Sequence, residues 1–377
     1  MNVKTKNIQI ENSVKTLQTS PLFQLSLGSK ELFHSNFLAW LFEMYPQESG
    51  RVISRFLKKT TGDVEVNKVL RELKNRDLTI YFNNGQELVI ENKVKSLPYI
   101  EQLELYSKDA EAHQNFVLLS LMRPPFSIDG TIKIGSVVWN VLTYSHLAVL
   151  IKEIGTSIQN EYHRSILSDY ESFIISFSEI FVSNTYGDGD LFSDFYDPSK
   201  GSVFQMLQPL RIGDIYQKLR YEAFAGRIYE ILTKKYPDLV YLSESDEGRK
   251  VGSIYVSHGM SRALGMVSVS YVLAKGLYLT VQIQGGSYRQ MVQGYSGYGK
   301  TSRKVAERLK VERLWFDFDH IGASEEYPRA DKGFNEYSGI DFYRSVKLPS
   351  IVTVEQVLGF VVRDIERIMQ SKDSLLI

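Results

Sequence analysis

Two strand-like segments that flank Asn83-Asn84-Gly85 constrain the fold of this chain more than any other feature. The segments are RDLTIYF (76–82) and QELVIENKV (86–94), and both contain the β-branched and aromatic residues that favour strands. Gly85 suits the positive-φ position of a three-residue loop, so we predict a β-hairpin. In the register that this loop sets, the numbers of paired residues add to 168, which places Asp77 opposite Glu91.

The predicted hairpin has one apolar face and one charged face, because side chains alternate along a strand. The apolar face carries Leu78, Ile80, Leu88 and Ile90. The other face carries Asp77, Thr79, Val89, Glu91 and Lys93. Either the strands end in water there and the charges only keep the hairpin soluble, or the sheet delivers the charges to a site.

The charged face holds the groups that phosphodiester hydrolysis uses. Asp77 and Glu91 offer the hard oxygen ligands that Mg²⁺ prefers, and the main-chain carbonyl of Asn92 could supply a third oxygen. Mg²⁺ would polarise a phosphate, and Lys93 could orient or help deprotonate the attacking water. The pattern is loose by itself, so both interpretations stay open at this point.

The elements around the hairpin indicate a mixed α/β fold. A helix is predicted over 30–45 after Ser29, a suitable N-cap, and a second over about 51–60. Pro98 ends the second hairpin strand, and residues 99–113 read as a helix. Strands follow at 116–122 and 136–144, separated by the turn-rich RPPFSIDG, and residues 145–183 read as mostly helical.

In this context residues 22–150 resemble the PD-(D/E)XK, or restriction-endonuclease-like, nuclease superfamily, in particular a bacterial branch with an early helix of the ELFHSNFLAWL type. Four pieces occur in the expected order: Glu31 in the first helix, Asp77, the Glu91-Asn92-Lys93 run, and Gln102-x-x-x-Tyr106. Arg76 stands where the superfamily has its proline. The resemblance implies a restriction-endonuclease-like core, with a mixed central sheet flanked by helices.

The resemblance also implies roles for these residues. Asp77 and Glu91 would be metal ligands, with the Asn92 carbonyl beside them, and Lys93 would be the catalytic lysine. Glu31 would be an accessory carboxylate that binds or positions metal and water. Gln102 and Tyr106, four residues apart on one helical face, would contact substrate or support the site.

Two further side chains near these pieces are candidates for binding substrate. His34 lies one turn after Glu31 and could contact a phosphate or Glu31, although a single histidine is more often an ordinary polar helix position. Lys95 belongs to a basic cluster suited to substrate phosphates, which comprises Arg71, Lys74, Arg76, Lys93 and Lys95.

Composition adds only broad limits. The chain has 377 residues, 44 basic and 44 acidic, so its net charge gives no case for nucleic-acid binding and a local patch would have to provide it. The absence of cysteine suits a reducing compartment. Since the N-terminus lacks a signal-peptide pattern and FIISFSEIFV is about half a membrane span, we expect a cytoplasmic protein without a membrane partner.

The length favours two domains. We predict a nuclease core with flanking helices over 1–185, a linker rich in Gly, Asp and Ser over 186–203, and a C-terminal α+β domain over 204–377. Helices are predicted over 217–236 and 353–369, the second with a Thr353–Gln356 capping box. The runs between 252 and 293 suggest an antiparallel meander, although SYRQMVQ (287–293) is a weak candidate for a buried strand.

Residues 294–301, GYSGYGKT, match the GxxxxGK[ST] pattern of a phosphate-binding loop. A P-loop needs a parallel α/β core, and the preceding residues read as antiparallel, so we do not expect nucleotide hydrolysis. The helix that follows carries a basic stripe, Lys300, Lys304 and Arg308, which could meet a nucleic-acid backbone or be an ordinary solvated face.

From the resemblance we expect a Mg²⁺-dependent nuclease, with Mn²⁺ able to substitute, whose favoured substrate is DNA and whose role is in restriction, repair or anti-phage defence. The alternative is a nuclease fold with little turnover that binds nucleic acid or a protein partner. A homodimer and a protein partner of the C-terminal domain are further expectations.

Overall fold

The chain divides into two units in the computed structural model. One unit comprises residues 1–185 and 203–219, and the other comprises 186–202 and 220–377. The structure describes residues 3–28, 30–57, 63–94, 98, 100–182, 187, 189–196, 202–242, 249–261, 264–295, 297–322, 325–326 and 333–375. Ser29, which the sequence suggested as an N-cap, lies outside these ranges.

The first unit combines helices with a mixed sheet. Its helices are α1 Val3–Thr19, α2 Pro21–Ser26, α3 Lys30–Met44, α4 Pro46–Ile53, α5 Ile100–Ser107, α6 Tyr144–Ser157 and α7 Glu161–Val182. Its strands are β1 Val66–Leu73, β2 Arg76–Phe82, β3 Glu87–Lys93, β4 Gln114–Ser120, β5 Thr131–Ile134 and β6 Val137–Thr143.

The predicted hairpin is confirmed as β2 and β3. Leu78 pairs with Ile90 and Ile80 with Leu88, which is the register expected from the loop. Gly85 has a φ of +79°, where a side chain would be strained. The loop chemistry therefore fixed which residues of the two strands share a face.

The sheet of the first unit has the strand order β1-β2-β3-β4-β6-β5 among the described residues. Strands β3, β4 and β6 run parallel, and β1, β2 and β5 join them in antiparallel fashion. The apolar hairpin face packs in a core with α1, α3, α4, α6 and α7. The opposite face packs Val89, Phe116 and Trp139 against Leu103 and Tyr106 of α5.

The mixed central sheet flanked by helices is thus confirmed, and several element boundaries are corrected. The second helix begins at Pro46, whose fixed φ suits a first turn, and it ends at Ile53 before a 3₁₀ turn, rather than covering 51–60. Helix α5 ends at Ser107 rather than at 113, and β4 begins at Gln114. The four-residue strand β5 was missed, since it lies between two turns at Gly130 and Gly135.

The second unit contains a larger mixed sheet, with the order β12-β14-β11-β10-β9-β8-β7 and β13 beside β14 in its described part. The strands are β7 Val240–Leu242, β8 Ile254–Ser261, β9 Leu264–Ala274, β10 Leu277–Gln284, β11 Ser287–Gly294, β12 Glu325–Glu326, β13 Asn335–Tyr337 and β14 Asp341–Lys347. The helices from residue 193 on are α8 Ser193–Tyr196, α9 Ser202–Leu207, α10 Gly213–Lys235, α11 Gly299–Val311 and α12 Val354–Leu375. The division between the units falls within α9 and α10.

The antiparallel meander is confirmed as β8 to β11, whereas β7 and β8 run parallel to each other. The SYRQMVQ segment is a fully paired strand, contrary to the weak signal of its sequence, because Tyr288 and Val292 are buried in the core while Gln293 faces the other side. The capping box of α12 is confirmed: Thr353 N donates to Gln356 Oε1 at 2.9 Å, and Gln356 N donates to Thr353 Oγ1 at 3.2 Å.

The segment that the sequence suggested as a linker contributes to the second unit. Phe192 and Phe195 are buried and stack with their ring centroids 4.8 Å apart. Phe192 N also donates to Val352 O at 2.8 Å. Within the described part of the chain, no helix has the length and apolar character needed to cross a membrane.

Candidate active site

The charges of the hairpin do not end in water. Glu91 is 2 % exposed, and the Lys93 side chain is 11 % exposed. Asp77 lies at the start of β2 next to the same edge, where its Oδ2 accepts a hydrogen bond from Asn92 N at 2.7 Å. Charges that only kept the hairpin soluble would be exposed, so the burial of Glu91 and Lys93 favours the interpretation of this face as a site.

Glu91 is held from two sides through one of its carboxylate oxygens. Its Oε1 lies 2.8 Å from Lys93 Nζ and accepts a hydrogen bond from Gln102 Nε2 at 2.8 Å. Its Oε2 is buried and has no hydrogen-bond partner among the described residues. A buried carboxylate oxygen without a partner costs free energy, so this atom marks a position where a ligand would stabilise the site.

The acidity of both hairpin carboxyls is weakened by their surroundings. Burial raises the pKa of Glu91 to about 7; Lys93 opposes this shift, whereas the charges of Asp77 and Glu31 add to it. Burial also raises the pKa of Asp77, against the effects of the Asn92 amide and Lys93. Three carboxyls thus act on one another within a largely buried site.

Glu31 joins the site from α3. Its Oε1 accepts a hydrogen bond from Val94 N at 3.2 Å. Its main-chain oxygen accepts a hydrogen bond from Asn92 Nδ2 at 3.0 Å, so α3 is fixed to β3 next to Glu91. Glu31 is therefore part of the carboxylate cluster. From the sequence alone, an acid in the first turn could equally have served only to stabilise the helix N-terminus.

The Asn92 side chain faces away from Glu91 and has a structural role. Its Nδ2 also donates to Ser35 Oγ at 3.2 Å, and its Oδ1 accepts from Tyr144 OH at 2.6 Å. Tyr144 and Ser35 were missed by sequence reasoning. The available signal was that Tyr144 follows β6 directly, at the carboxyl end of a parallel strand, where site residues cluster in open α/β sheets.

Gln102 and Tyr106 meet Glu91 as a hydrogen-bonded chain. Gln102 Nε2 donates both to Glu91 Oε1 and to Tyr106 OH, the latter at 2.9 Å. Tyr106 OH donates to Asn75 O at 2.7 Å, in the turn between β1 and β2. The chain fixes the Glu91 carboxylate relative to α5 and the neighbouring turn.

His34 packs among aromatic rings of the first unit. His34 is 1 % exposed, its Nδ1 lies 2.8 Å from Tyr170 OH, and burial lowers its pKa to about 3. The imidazole is therefore neutral and enclosed by aromatic rings, which argues against the phosphate contact that the sequence suggested. Lys95 lies outside the described residues.

The carboxylate cluster fits a divalent cation. Asp77 and Glu91 offer hard oxygen ligands, and Glu91 Oε2 is buried without a hydrogen-bond partner among the described residues. A bound cation would also lower the raised pKa values of these two carboxyls. Among the described residues, no group of three or more histidine, aspartate or glutamate side chains is arranged as a metal-binding set. Ligands of a cation here would therefore include main-chain oxygens or water, as is usual for Mg²⁺.

The GYSGYGKT segment lacks the surroundings of a P-loop. The preceding strand β11 lies between β10 and β14 and runs antiparallel to both. Gly294 N donates to Asp341 Oδ1 at 3.2 Å, so a carboxylate already occupies this amide. A phosphate would meet the negative charge of Asp341 there.

Comparisons with known proteins bear on the first unit. Residues 21–177 match the family model described as the PD-(D/E)XK nuclease superfamily. No curated protein and no solved structure gave a significant match. The matched range contains Glu31, Asp77, Glu91 and Lys93, together with all six strands of the mixed sheet. Residues 21–177 of this chain are thus similar to the PD-(D/E)XK nuclease superfamily, and their mixed sheet flanked by helices fits its restriction-endonuclease-like fold.

Proposed function

We propose that the first unit is a Mg²⁺-dependent nuclease that hydrolyses phosphodiester bonds in DNA, with Mn²⁺ able to replace Mg²⁺. The observation that carries the proposal is the convergence of Asp77, Glu91 and Lys93 at one largely buried edge of the sheet. The match of residues 21–177 to the nuclease superfamily supports nuclease activity in general. DNA as the substrate, restriction, repair or anti-phage defence as the role, and the cytoplasm as the location are proposed from the resemblance.

Asp77, Glu91 and the main-chain carbonyl of Asn92 would hold the cation, with Glu31 as an accessory carboxylate. When bound, the cation would polarise the phosphate and shield the charge that develops on it. A carboxyl group binds a cation best when it has lost its proton. Because the pKa of Glu91 is raised to about 7, this carboxyl loses its proton near neutral pH. We therefore expect cation binding to strengthen as the pH rises through neutrality.

Lys93 is the residue that would assist the attacking water. Its ammonium group is held beside Glu91 and is mostly shielded from bulk solvent. From that position it can donate a hydrogen bond to a water or to a phosphate oxygen. Gln102 keeps the carboxylate in place, so Lys93 and Glu91 do not have to be ordered when substrate binds.

The proposal is tested by cleavage of plasmid and single-stranded DNA with and without Mg²⁺. The wild type is compared with Asp77→Asn, Glu91→Gln and Lys93→Ala, which we expect to lower the rate at least about a hundredfold. Glu87→Gln and Lys68→Ala, on β3 and β1 of the same sheet, serve as matched controls that keep wild-type rates. Equal activity in all the proteins would show that the cleavage comes from elsewhere and would end the proposal.

The alternative, a nuclease fold that binds without turnover, is separated by the same samples. Nucleic-acid binding that survives chelation of metal, with no cleavage of RNA, single-stranded DNA or duplex DNA, would favour it. A homodimer or a protein partner of the second unit is compatible with either function. Either assembly would be detected as an increase in the molar mass measured in solution.

A further inference from the structure

We infer that the second unit binds single-stranded nucleic acid through an aromatic and basic surface on its larger sheet. The surface, here the tyrosine surface, is defined by six residues: Tyr241, Arg249, Tyr255, Tyr278, Tyr295 and Tyr298. All six residues belong to the second unit, and none of them is part of the carboxylate cluster of the first. Its use as a substrate-binding surface rests on the proposed nuclease function, whereas the binding itself does not.

The rings of the tyrosine surface form a row of two contacting pairs across the strands, with Arg249 between the pairs. Tyr241 stacks on Tyr255 with centroids 5.3 Å apart and planes at 26°. Tyr278 meets Tyr295 edge to face at 5.7 Å. Tyr298 lies at the same end as Tyr295, because both rings approach Gly276. A Cβ at Gly276 would lie 3.2 Å from the Tyr298 ring and 3.4 Å from the Tyr295 ring.

Arg249 links the two halves of the row. Its guanidinium carbon lies 4.8 Å from the ring centroid of Tyr255 and 5.6 Å from that of Tyr278. A planar cation between aromatic rings is an arrangement that also stacks on nucleobases and attracts phosphate. Arg249 thus connects the two tyrosine pairs into one surface.

The rings at the ends of the row are exposed to a ligand, whereas the rings in the middle are packed in the protein. Tyr255 and Tyr278 are buried, whereas Tyr241, Tyr295 and Tyr298 are 36 to 37 % exposed. Rings held in place by buried neighbours lose little conformational freedom on binding. The exposed rings therefore suit stacking with bases.

Three lysines supply charge near the exposed end of the row. Lys275 lies in the turn that contacts Tyr295 and Tyr298, and Lys300 and Lys304 lie one turn apart at the start of α11. All three are exposed, and in the described part of the chain none forms an ion pair with a carboxylate. Exposed lysines next to aromatic rings match the alternating phosphates and bases of a single strand.

The combination favours a single strand over a duplex or a peptide. Bases present their faces for stacking only when they are unpaired, and tyrosine faces read no particular sequence. The exposed lysines favour a polyanion over a neutral peptide. The surface also gives a physical use to GYSGYGKT, which supplies Tyr295, Tyr298 and Lys300 without forming a P-loop.

The inference is tested by fluorescence anisotropy with a labelled oligothymidylate of about 16 nucleotides, the upper end of such binding sites. The full chain carrying Lys93→Ala is used with EDTA, so that cleavage does not interfere. We expect tighter binding of this strand than of a duplex of equal length. Tyr295→Ala with Tyr298→Ala should weaken the binding at least about tenfold. Lys300→Ala with Lys304→Ala should reduce the slope of log K against log salt by about 1.4.

Tyr162→Ala and Lys152→Ala, at exposed positions on α7 and α6 of the first unit, are the controls and should bind as the parent does. Circular dichroism checks that each variant is folded. Three results would overturn the inference. They are wild-type affinity in the tyrosine double variant, a preference for duplex, and binding of a peptide to the tyrosine surface in place of the oligonucleotide. Because binding is measured without metal, these outcomes do not depend on whether the first unit cleaves.

Discussion

The Nζ atom of Lys93 lies 2.8 Å from Oε1 of Glu91, and both side chains are largely removed from water. Two residues that are separated by one position on a strand thus form an ion pair beside two further carboxyls, Asp77 and Glu31. Removing one partner of such a pair leaves the other charge buried and unpaired, so substitutions here affect stability as well as activity. The predictions below separate these effects.

Replacing Lys93 should remove catalysis and leave cation binding in place, because the lysine is not a ligand in the proposed site. For Lys93→Gln we expect a loss of cleavage of at least about a hundredfold. The Mg²⁺-dependent rise in melting temperature should persist in the same protein. Lys68→Gln, an exposed lysine on β1, is the matched control. Loss of the Mg²⁺ effect together with activity would indicate that Lys93 only maintains the fold.

Mg²⁺ or Mn²⁺ should stabilise the first unit. A ligand at about a hundred times its dissociation constant contributes about 2.7 kcal/mol, which is a rise of several degrees for a unit of this size. Glu91→Gln should abolish the rise, since it removes a charged oxygen ligand, whereas Glu87→Gln on the same strand should keep it. Differential scanning calorimetry in EDTA and in each metal measures the effect. An unchanged rise in Glu91→Gln would place the cation elsewhere.

Tyr106→Phe should loosen the support of Glu91 without removing it. The substitution deletes the hydroxyl that accepts from Gln102 and donates to Asn75 O, so we expect about 1 kcal/mol lower stability. Gln102→Leu should reduce the cleavage rate more than Tyr106→Phe does, because it removes the direct bond to Glu91. Urea unfolding and single-turnover cleavage give the two quantities. Equal rates in both variants and the wild type would show that the chain is not needed for positioning.

The buried His34 should make the first unit less stable in mild acid. Its pKa is about 3 in the folded protein and near 6.5 in the unfolded chain, so only the unfolded chain takes up a proton between these values. Its contribution to stability is therefore complete above pH 6.5 and falls as the pH drops toward 3, by at most about 1.4 kcal/mol per pH unit. Above pH 6.5 the group has no effect on the slope.

His34→Gln keeps a polar side chain at this position and removes the titration. The difference in free energy of unfolding between wild type and variant, measured by urea unfolding at several pH values from about 7.5 to 4.5, should depend on pH only below about 6.5. Taking the difference removes the contribution of the other titrating groups. A difference that is constant over the whole range would contradict the neutral, buried state of the imidazole.

Nucleotide should not bind to GYSGYGKT. The segment follows an antiparallel strand, and an aspartate occupies the Gly294 amide. Isothermal calorimetry with ATP and Mg²⁺ should show no heat of binding at the second unit, and Lys300→Ala should change nothing. ATP binding that Lys300→Ala abolishes would show that this interpretation is wrong.

The sequence by itself determined the local relationships in this protein. Gly85 and the loop length set the register of β2 and β3, and alternation along the strands then placed Glu91 and Lys93 on one face. The capping box at Thr353 was equally readable, because its hydrogen bonds join residues three positions apart. Such features depend on backbone geometry within a few residues.

Only the tertiary structure decided which distant groups surround these residues. The bond from Gln102 to Glu91, the attachment of Asn92 to α3 and to Tyr144, and the enclosure of His34 by aromatic rings each join separate segments. Burial then raised the pKa of Glu91, and no local pattern encodes burial, because it depends on every element that packs over the site. The same holds for GYSGYGKT, whose letters match a phosphate loop and whose surroundings do not.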